Sequence, residues 1–317
     1  MDSIDVIEQH IADRSMELLK ILLKDKTTGN YIKWATDNYI SIGGQYSPES
    51  EMEPAHIIGK FTNVIQPRVS KTMQEQLKRT RDKAEVFTPM WVVNKQNNLI
   101  DNAWFERNIV FNKETPNSWE TIEEKIEFPE GKTWQQYVDL KRLEISCGEA
   151  PYLVNRYDAV SGEPKPIIER VGLLDRKLRI INENVDNETE WNIWVIRAFQ
   201  SIYGYEFQGD SLLIARENLL YTFADNLFYK FGRYPTLIEQ KKIANIIAWN
   251  IWQMDGVTMT VPYSEQKAGF EQLSLFDLYG WGEEQPKEEN TEAIPCRIFD
   301  WRSNQSIEFK SLVKGAK

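Results

Sequence analysis

The stretch LEISCGEAPYLVNRYD spans residues 143–158. It begins as a short apolar run interrupted by Glu144, breaks at Cys147 and Gly148, and places Glu149 directly after them. The preceding Arg142 completes RLEIS, a run that predicts a strand. Gly148 predicts a tight turn, since glycine adopts backbone conformations that a Cβ penalises. Such a turn has three open uses: to hold a cofactor, to hold a metal, or to join two elements.

Downstream, the periodicity alternates. A helix is expected over 188–201, with Trp191, Trp194, Val195 and Ala198 inward, followed by a strand at SIYGYEF and a long helix over 209–230. YPTLIEQKKIA reads as a shorter helix and NIIAWNIW as a third strand, closed by a turn at Asp255 and Gly256. Strands separated by helices predict a parallel α/β sheet. Upstream, residues 3–24 read as one amphipathic helix, 57–69 as extended, 70–83 as a polar helix and 90–102 as another helix. Residues 108–132 suggest short strands joined by turns, and TWQQYVDLK a short helical segment. Lys71, Lys78, Arg79, Arg81 and Lys83 form the clearest basic cluster, whose simplest reading is a solvated helix face.

The chain has 317 residues, 41% of them hydrophobic and 27% charged, which suits a folded globular protein. Eleven Trp and thirteen Tyr supply large aromatic surfaces for packing or stacking. No apolar run reaches the length of about 18 residues that a membrane helix needs, so no membrane association is expected. The acidic opening MDSIDVIEQH lacks the layout of a signal peptide, and two cysteines make no disulfide framework. A cytoplasmic location is the expectation. A net charge of −10 argues against a stand-alone DNA-binding module, which would carry a basic footprint.

Ligands in open α/β sheets bind beyond the carboxyl ends of the strands. Three acids stand there: Glu144, Glu206 and Asp255. An acid at the second strand end suits ribose hydroxyls, and one after the third suits an exocyclic amine. Each is weak evidence alone; their order along the chain is the stronger signal.

Over roughly residues 80–260 these features resemble the S-adenosylmethionine-dependent DNA N6-adenine methyltransferases of bacterial restriction–modification systems. EVFTP resembles the family's Phe-Thr-Pro segment, which implies that Phe87, Thr88 and Pro89 close over the methionine end of S-adenosylmethionine. EISCGEAPYL resembles its glycine turn, implying cofactor contacts from Glu144, Ser146, Cys147 and Gly148, with Glu144 facing the amino group. By the same resemblance Glu206 and the adjacent Phe207 serve the ribose end, and Asp255 with Gly256 the adenine. The implied fold is a Rossmann-like methyltransferase core, incomplete here and preceded by an N-terminal helical extension.

The sequence departs from that family in several places. Ala150 stands where a second glycine is usual, and Ile145 where proline is usual. The interval from Glu144 to Glu206 far exceeds the roughly 20 residues usual between such elements. NRYDAVSGEPKPIIERVGLLDRKLRIINEN therefore reads as an insertion beside the site, a lid or a wall. The family transfers its methyl group to a flipped adenine through an Asp/Asn/Ser-Pro-Pro-Tyr/Phe motif. No Pro-Pro follows Asp255, and Val261-Pro262-Tyr263 is the nearest match. No catalytic residue is therefore assigned, and a second polypeptide is expected to bring the catalytic strand and DNA target recognition. A non-catalytic protein that senses S-adenosylmethionine or scaffolds a DNA complex is the alternative.

The expected organisation is a mainly helical extension over 1–83, a cofactor-binding core over 84–263, an acidic connector over 264–295 and a C-terminal strand with a basic tail over 296–317. Within the connector, Gln272, Leu273, Ser274, Leu275 and Phe276 resemble the peptide that docks bacterial proteins on the sliding clamp; the competing reading packs the same side chains on the sheet. No metal site is assigned, since His10, His56 and the two cysteines have no ligand spacing. A phosphate-binding P-loop is absent from the sequence. Cys147 lacks an activating histidine nearby in sequence and reads as packing rather than as a nucleophile.

Overall fold

The computed structural model describes residues 7–83, 88–158, 161–265 and 293–314. Its centre is a three-stranded parallel sheet: β3 (Arg142–Glu144), β4 (Ile202–Glu206) and β5 (Ile251–Gln253), in that spatial order. Two antiparallel hairpins flank it, β1 (Asn112–Thr115) with β2 (Ser118–Thr121), and β6 (Arg297–Asp300) with β7 (Gln305–Glu308). The helices are α1 (Glu8–Arg14), α2 (Met16–Leu23), α3 (Met73–Lys83), α4 (Met90–Phe105), α5 (Trp134–Val138), α6 (Leu173–Asn184), α7 (Glu188–Gln200), α8 (Gly209–Phe231), α9 (Leu237–Asn250) and α10 (Phe309–Lys314). The expected mixed α/β class with a parallel sheet is therefore present, with helical crossovers between its strands. No helix among the described residues is long and apolar enough to cross a membrane.

Local chemistry sets the helix boundaries. Thr236 and Glu239 form a reciprocal capping box that starts α9, and Gly232 ends α8 in the left-handed region with its N–H on Phe228 O at 2.8 Å. The expected single helix over 3–24 is two helices, because Ser15 is extended and caps α2 through Leu18 N. Residues 57–69, expected to be extended, instead form 3₁₀ turns at Gly59–Phe61 and Arg68–Ser70, the latter opening directly after Pro67. The third strand is shorter than NIIAWNIW suggests: α9 continues through Asn250, burying Ile243, Ile246 and Ile247 at helical spacing. Asn250 then fixes the start of β5, donating to Phe199 O and Ile202 O at 2.9 Å each. β3 likewise ends at Glu144, because Ser146 has φ +48° and cannot extend the strand.

One continuous apolar core reaches from Ile11 in α1 to Ile251 in β5, so the N-terminal helices pack with the sheet. Gly209 permits the closest approach: a Cβ there would lie 2.0 Å from Lys33 O, and its N–H bonds Trp34 O at 2.9 Å. Gln253 exchanges side-chain hydrogen bonds with the backbone of Lys33, so this segment also covers the β5 edge. The other sheet face is covered by the C-terminal hairpin, with Trp252 against Phe309 and Tyr203 against the same cluster. That cover does not reach Leu143 of β3 or Ile145 just after it, which are 46% and 67% exposed. The outer edge of β3 pairs with no strand among the described residues.

The segment read as an insertion divides in two. Its second half is core: α6 buries Leu174, Leu178, Ile180 and Ile181. Arg176 in α6 pairs with Asp101 of α4 at 2.6 Å and bonds Asn94 and Asn98, all of them buried. The basic cluster also differs from its expected solvated role. Lys71 and Arg79 turn inward to Asp210 at the start of α8, at 3.8 and 2.8 Å. Burial alone would raise the Asp210 carboxyl, but those two charges hold it well below the usual carboxylate range.

Candidate ligand-binding site

The carboxyl end of β3 opens on a cavity of about 150 Å³. Glu144, Ser146, Cys147 and Gly148 form one side, with Thr88 arriving from the segment before α4. The turn owes its shape to backbone geometry: Ser146, Gly148 and Ala150 all have positive φ, at +48°, +52° and +63°. Ala150 thus occupies a left-handed conformation that a glycine would take without strain. Its N–H closes the turn on Cys147 O at 2.7 Å.

Cys147 is buried, and a Cβ on Gly204 would lie 3.3 Å from its Sγ, so the bare glycine of β4 receives the thiol. Burial, then the charges of Glu144 and Glu206, push that thiol well above its usual value, which leaves it unreactive. Glu144 is 7% exposed. Its Oε1 accepts from Tyr152 N at 3.2 Å and the Leu153 N–H also acts on the carboxyl, while Oε2 has no hydrogen-bond partner among the described residues. Burial raises the Glu144 carboxyl well above its usual value, and the Glu206 charge adds to the rise. Tyr152 in turn hydrogen-bonds Thr88 through its hydroxyl.

The structure brings Thr88, Glu144, Ser146, Cys147 and Gly148 together and places the other candidates elsewhere. Glu206 sits one hydrogen bond behind the turn: its carboxylate accepts from Gly148 N at 2.8 Å and from Gln208 N at 3.1 Å. Burial raises its pKa against the opposing effect of those backbone bonds. Phe207 lies over Tyr263, with ring centroids 6.0 Å apart, and its carbonyl accepts from Gln253. Asp255 caps its own turn through Val257 N and Thr258 N, and Gly256 lies against the Tyr205 ring. Pro89 lines a separate cleft with Trp91 and Trp119. Phe87 lies outside the described residues, as does the 272–276 segment. Val261–Tyr263 follows the β5 turn as a loop and forms no strand.

The cavity also has walls that the sequence reading did not single out. Asn155, Arg156 and Tyr157, from the first half of the supposed insertion, form a wall, and Ser211 and Asn218 of α8 form another. The wall reading therefore describes this first half. A signal for α8 was present: Ser211 and Asn218 are polar residues seven apart in an apolar run, which puts them on one helix face.

The donor and acceptor inventory tests whether S-adenosylmethionine suits these residues. Glu144 Oε2, Asn155 Oδ1 and Asn218 Oδ1 are buried acceptors without partners among the described residues, and all three residues line the cavity, as do Arg68 and Arg156. An aminoacyl end carrying an ammonium group supplies the donors they lack. The fit extends to that end of the molecule; Glu206 and Asp255, proposed for the nucleoside, are occupied with backbone amides. Comparison with protein-family models, with curated proteins and with solved structures gives no significant match.

Proposed function

We propose that this chain is the S-adenosylmethionine-binding subunit of a DNA N6-adenine methyltransferase that needs a partner polypeptide for catalysis. The observation that carries the reading is the cavity at the carboxyl end of β3, where Glu144, the 146–148 turn and Thr88 meet, with Glu206 of the next strand bonded to Gly148. Bound S-adenosylmethionine supplies an electrophilic methyl group. Glu144 would hold its amino group, the backbone of 146–148 would lie against it, and Thr88 with Tyr152 would close the methionine end. Serving the ribose would require Glu206 to share or release the Gly148 amide.

The partner follows from what is missing. The sequence contains no Pro-Pro motif after Asp255, and among the described residues the outer edge of β3 is unpaired, beside exposed Leu143 and Ile145. An unpaired strand edge is a template for an added strand, and one added there would reach the cavity mouth. DNA contacts would belong mainly to that partner, in keeping with the net charge of −10 here. A non-catalytic, cofactor-sensing role shares the cavity but needs no added strand.

Calorimetric titration of the purified chain with S-adenosylmethionine, alone and with the product of the neighbouring reading frame, tests the reading. Binding is expected, together with methyl transfer to adenine in DNA only in the two-chain mixture. Absence of binding in both states overturns it; binding without transfer favours the sensing role.

A further inference from the structure

We infer that Asn155 and Asn218 are specificity-determining residues which, with Glu144, make the cavity select a ligand whose end carries an ammonium group or comparably dense N–H and O–H donors. This rests on the function proposed above and extends it to residues outside the resembled motifs.

Hydrogen bonding fixes which atom each amide presents. Tyr157 Oη donates to Glu149 Oε2 at 3.2 Å, so its oxygen can only accept from Asn218 Nδ2, at 3.3 Å. The same Nδ2 faces Glu149 O at 3.5 Å, and a flipped amide would set two carbonyls against each other. Asn155 Nδ2 is likewise committed to Pro151 O at 2.8 Å. What remains on both side chains is a carbonyl oxygen. Among the described residues neither Oδ1 has a partner, nor has Glu144 Oε2, and the three residues are 3%, 4% and 7% exposed in the order Asn155, Asn218, Glu144.

Folded proteins leave few such atoms unmatched, because each costs about 1–3 kcal/mol. Three around one cavity favour a ligand group that donates several hydrogen bonds, such as an ammonium; Arg68 and Arg156 also line the cavity, so a carboxylate beside that ammonium is not rejected. A ligand ammonium group would offer these acceptors charge-assisted bonds, which are roughly twice as strong as neutral ones. The two asparagines come from the segment after the turn and from α8, so the selecting wall is built from both sides of the site.

The test is calorimetry on the full chain with S-adenosylmethionine and with 5′-methylthioadenosine, which keeps the nucleoside but lacks the aminoacyl end. The wild-type chain should prefer S-adenosylmethionine by at least about 100-fold. Asn155→Leu and Asn218→Leu should each weaken it about tenfold while leaving 5′-methylthioadenosine unchanged. Should either variant fail to fold, the wild-type chain with the S-adenosylmethionine congener lacking its α-amino group makes the same test, with a loss of at least about 30-fold expected. Equal loss of both ligands, no loss in either variant, or retained affinity for the deamino congener overturns the inference and leaves the proposed function standing. No S-adenosylmethionine binding by the wild-type chain, alone or with its partner, removes the proposed function and this inference with it.

Discussion

The carboxylate of Glu206 accepts a hydrogen bond from the backbone N–H of Gly148 at 2.8 Å, joining the end of β4 to the turn after β3 across 58 residues of sequence. A second bond, from Gln208 N, fixes the carboxylate at the start of α8. The shape of the turn thus depends on a side chain from the neighbouring strand. Glu206→Ala leaves two amides without an acceptor, at about 1–3 kcal/mol for each that water cannot reach. Urea unfolding should show that loss, and hydrogen exchange at Gly148 should accelerate; Glu206→Gln, which keeps one acceptor oxygen, should recover part of both. Unchanged exchange at Gly148 in the alanine variant would show that the clamp does not hold the turn.

Ala150 is fully buried and sits at φ +63°. Ala150→Gly relieves about 1–2 kcal/mol of left-handed strain, but gives back about 0.4–1 through unfolded-chain entropy and about 0.8 through the lost methyl. Its stability should stay within about 1 kcal/mol of the parent. Ala150→Val adds a branched Cβ at positive φ in a filled space and should cost about 3 kcal/mol. Thermal melts of the pair decide the point; a well-tolerated valine would mean that the turn relaxes.

Glu8 in α1 and Glu217 in α8 are buried together, and neither oxygen of Glu217 has a hydrogen-bond partner among the described residues. Burial raises Glu8 to about 8, and burial with the Glu8 charge raises Glu217 well above its usual value. The sign is set by where the proton stays. Above the ordinary value of 4.5 the unfolded chain ionises these groups while the folded chain keeps them protonated. Stability is therefore full below that pH and falls as pH rises toward about 8. Denaturation midpoints from pH 5 to pH 8 should fall steadily, and Glu217→Gln should flatten the slope. A midpoint that rises over that range in the parent contradicts the burial of these acids.

Glu144 titrates in the same sense within the cavity, next to the charge of Glu206 and the thiol of Cys147. An ammonium ligand favours its ionised form, so binding should release a proton, and affinity should rise with pH until Glu144 ionises unaided. Calorimetry of S-adenosylmethionine in two buffers of different ionisation enthalpy measures the released proton. Glu144→Gln should abolish the release and weaken binding. Release that persists in this variant assigns the proton to another group.

Asp101 and Arg176 form a pair at 2.6 Å with each side chain 1% exposed, and Tyr137 Oη completes the carboxylate at 2.9 Å. Asp101→Ala strands a buried guanidinium and should cost about 3–5 kcal/mol. Urea unfolding would measure it. A loss under about 1 kcal/mol would mean that water enters and solvates Arg176.

Much of this was legible from pattern. Helix α8 and the strand at 202–206 follow directly from apolar periodicity and a glycine stop. The end of α9 was not legible, because a run such as IIAWNIW suits helix or strand equally. The decision fell to Asn250, whose partners Phe199 and Ile202 are remote in sequence. The basic cluster misled for a related reason: charge on a polar helix predicts solvent, and only the fold reveals Asp210 beneath Lys71 and Arg79.

The sequence by itself determined that the chain alternates strand and helix, that its acids stand at strand ends, and that no Pro-Pro motif follows Asp255. These are local properties of period, turn chemistry and residue identity. Tertiary structure decided which groups share a space. It put Asn155 and Asn218 on the same cavity as Glu144, turned Glu206 toward the Gly148 amide, and left one edge of β3 without a strand partner among the described residues. Such pairings are set by packing between segments tens of residues apart, where a hydrogen bond depends on position in space and not on spacing along the chain.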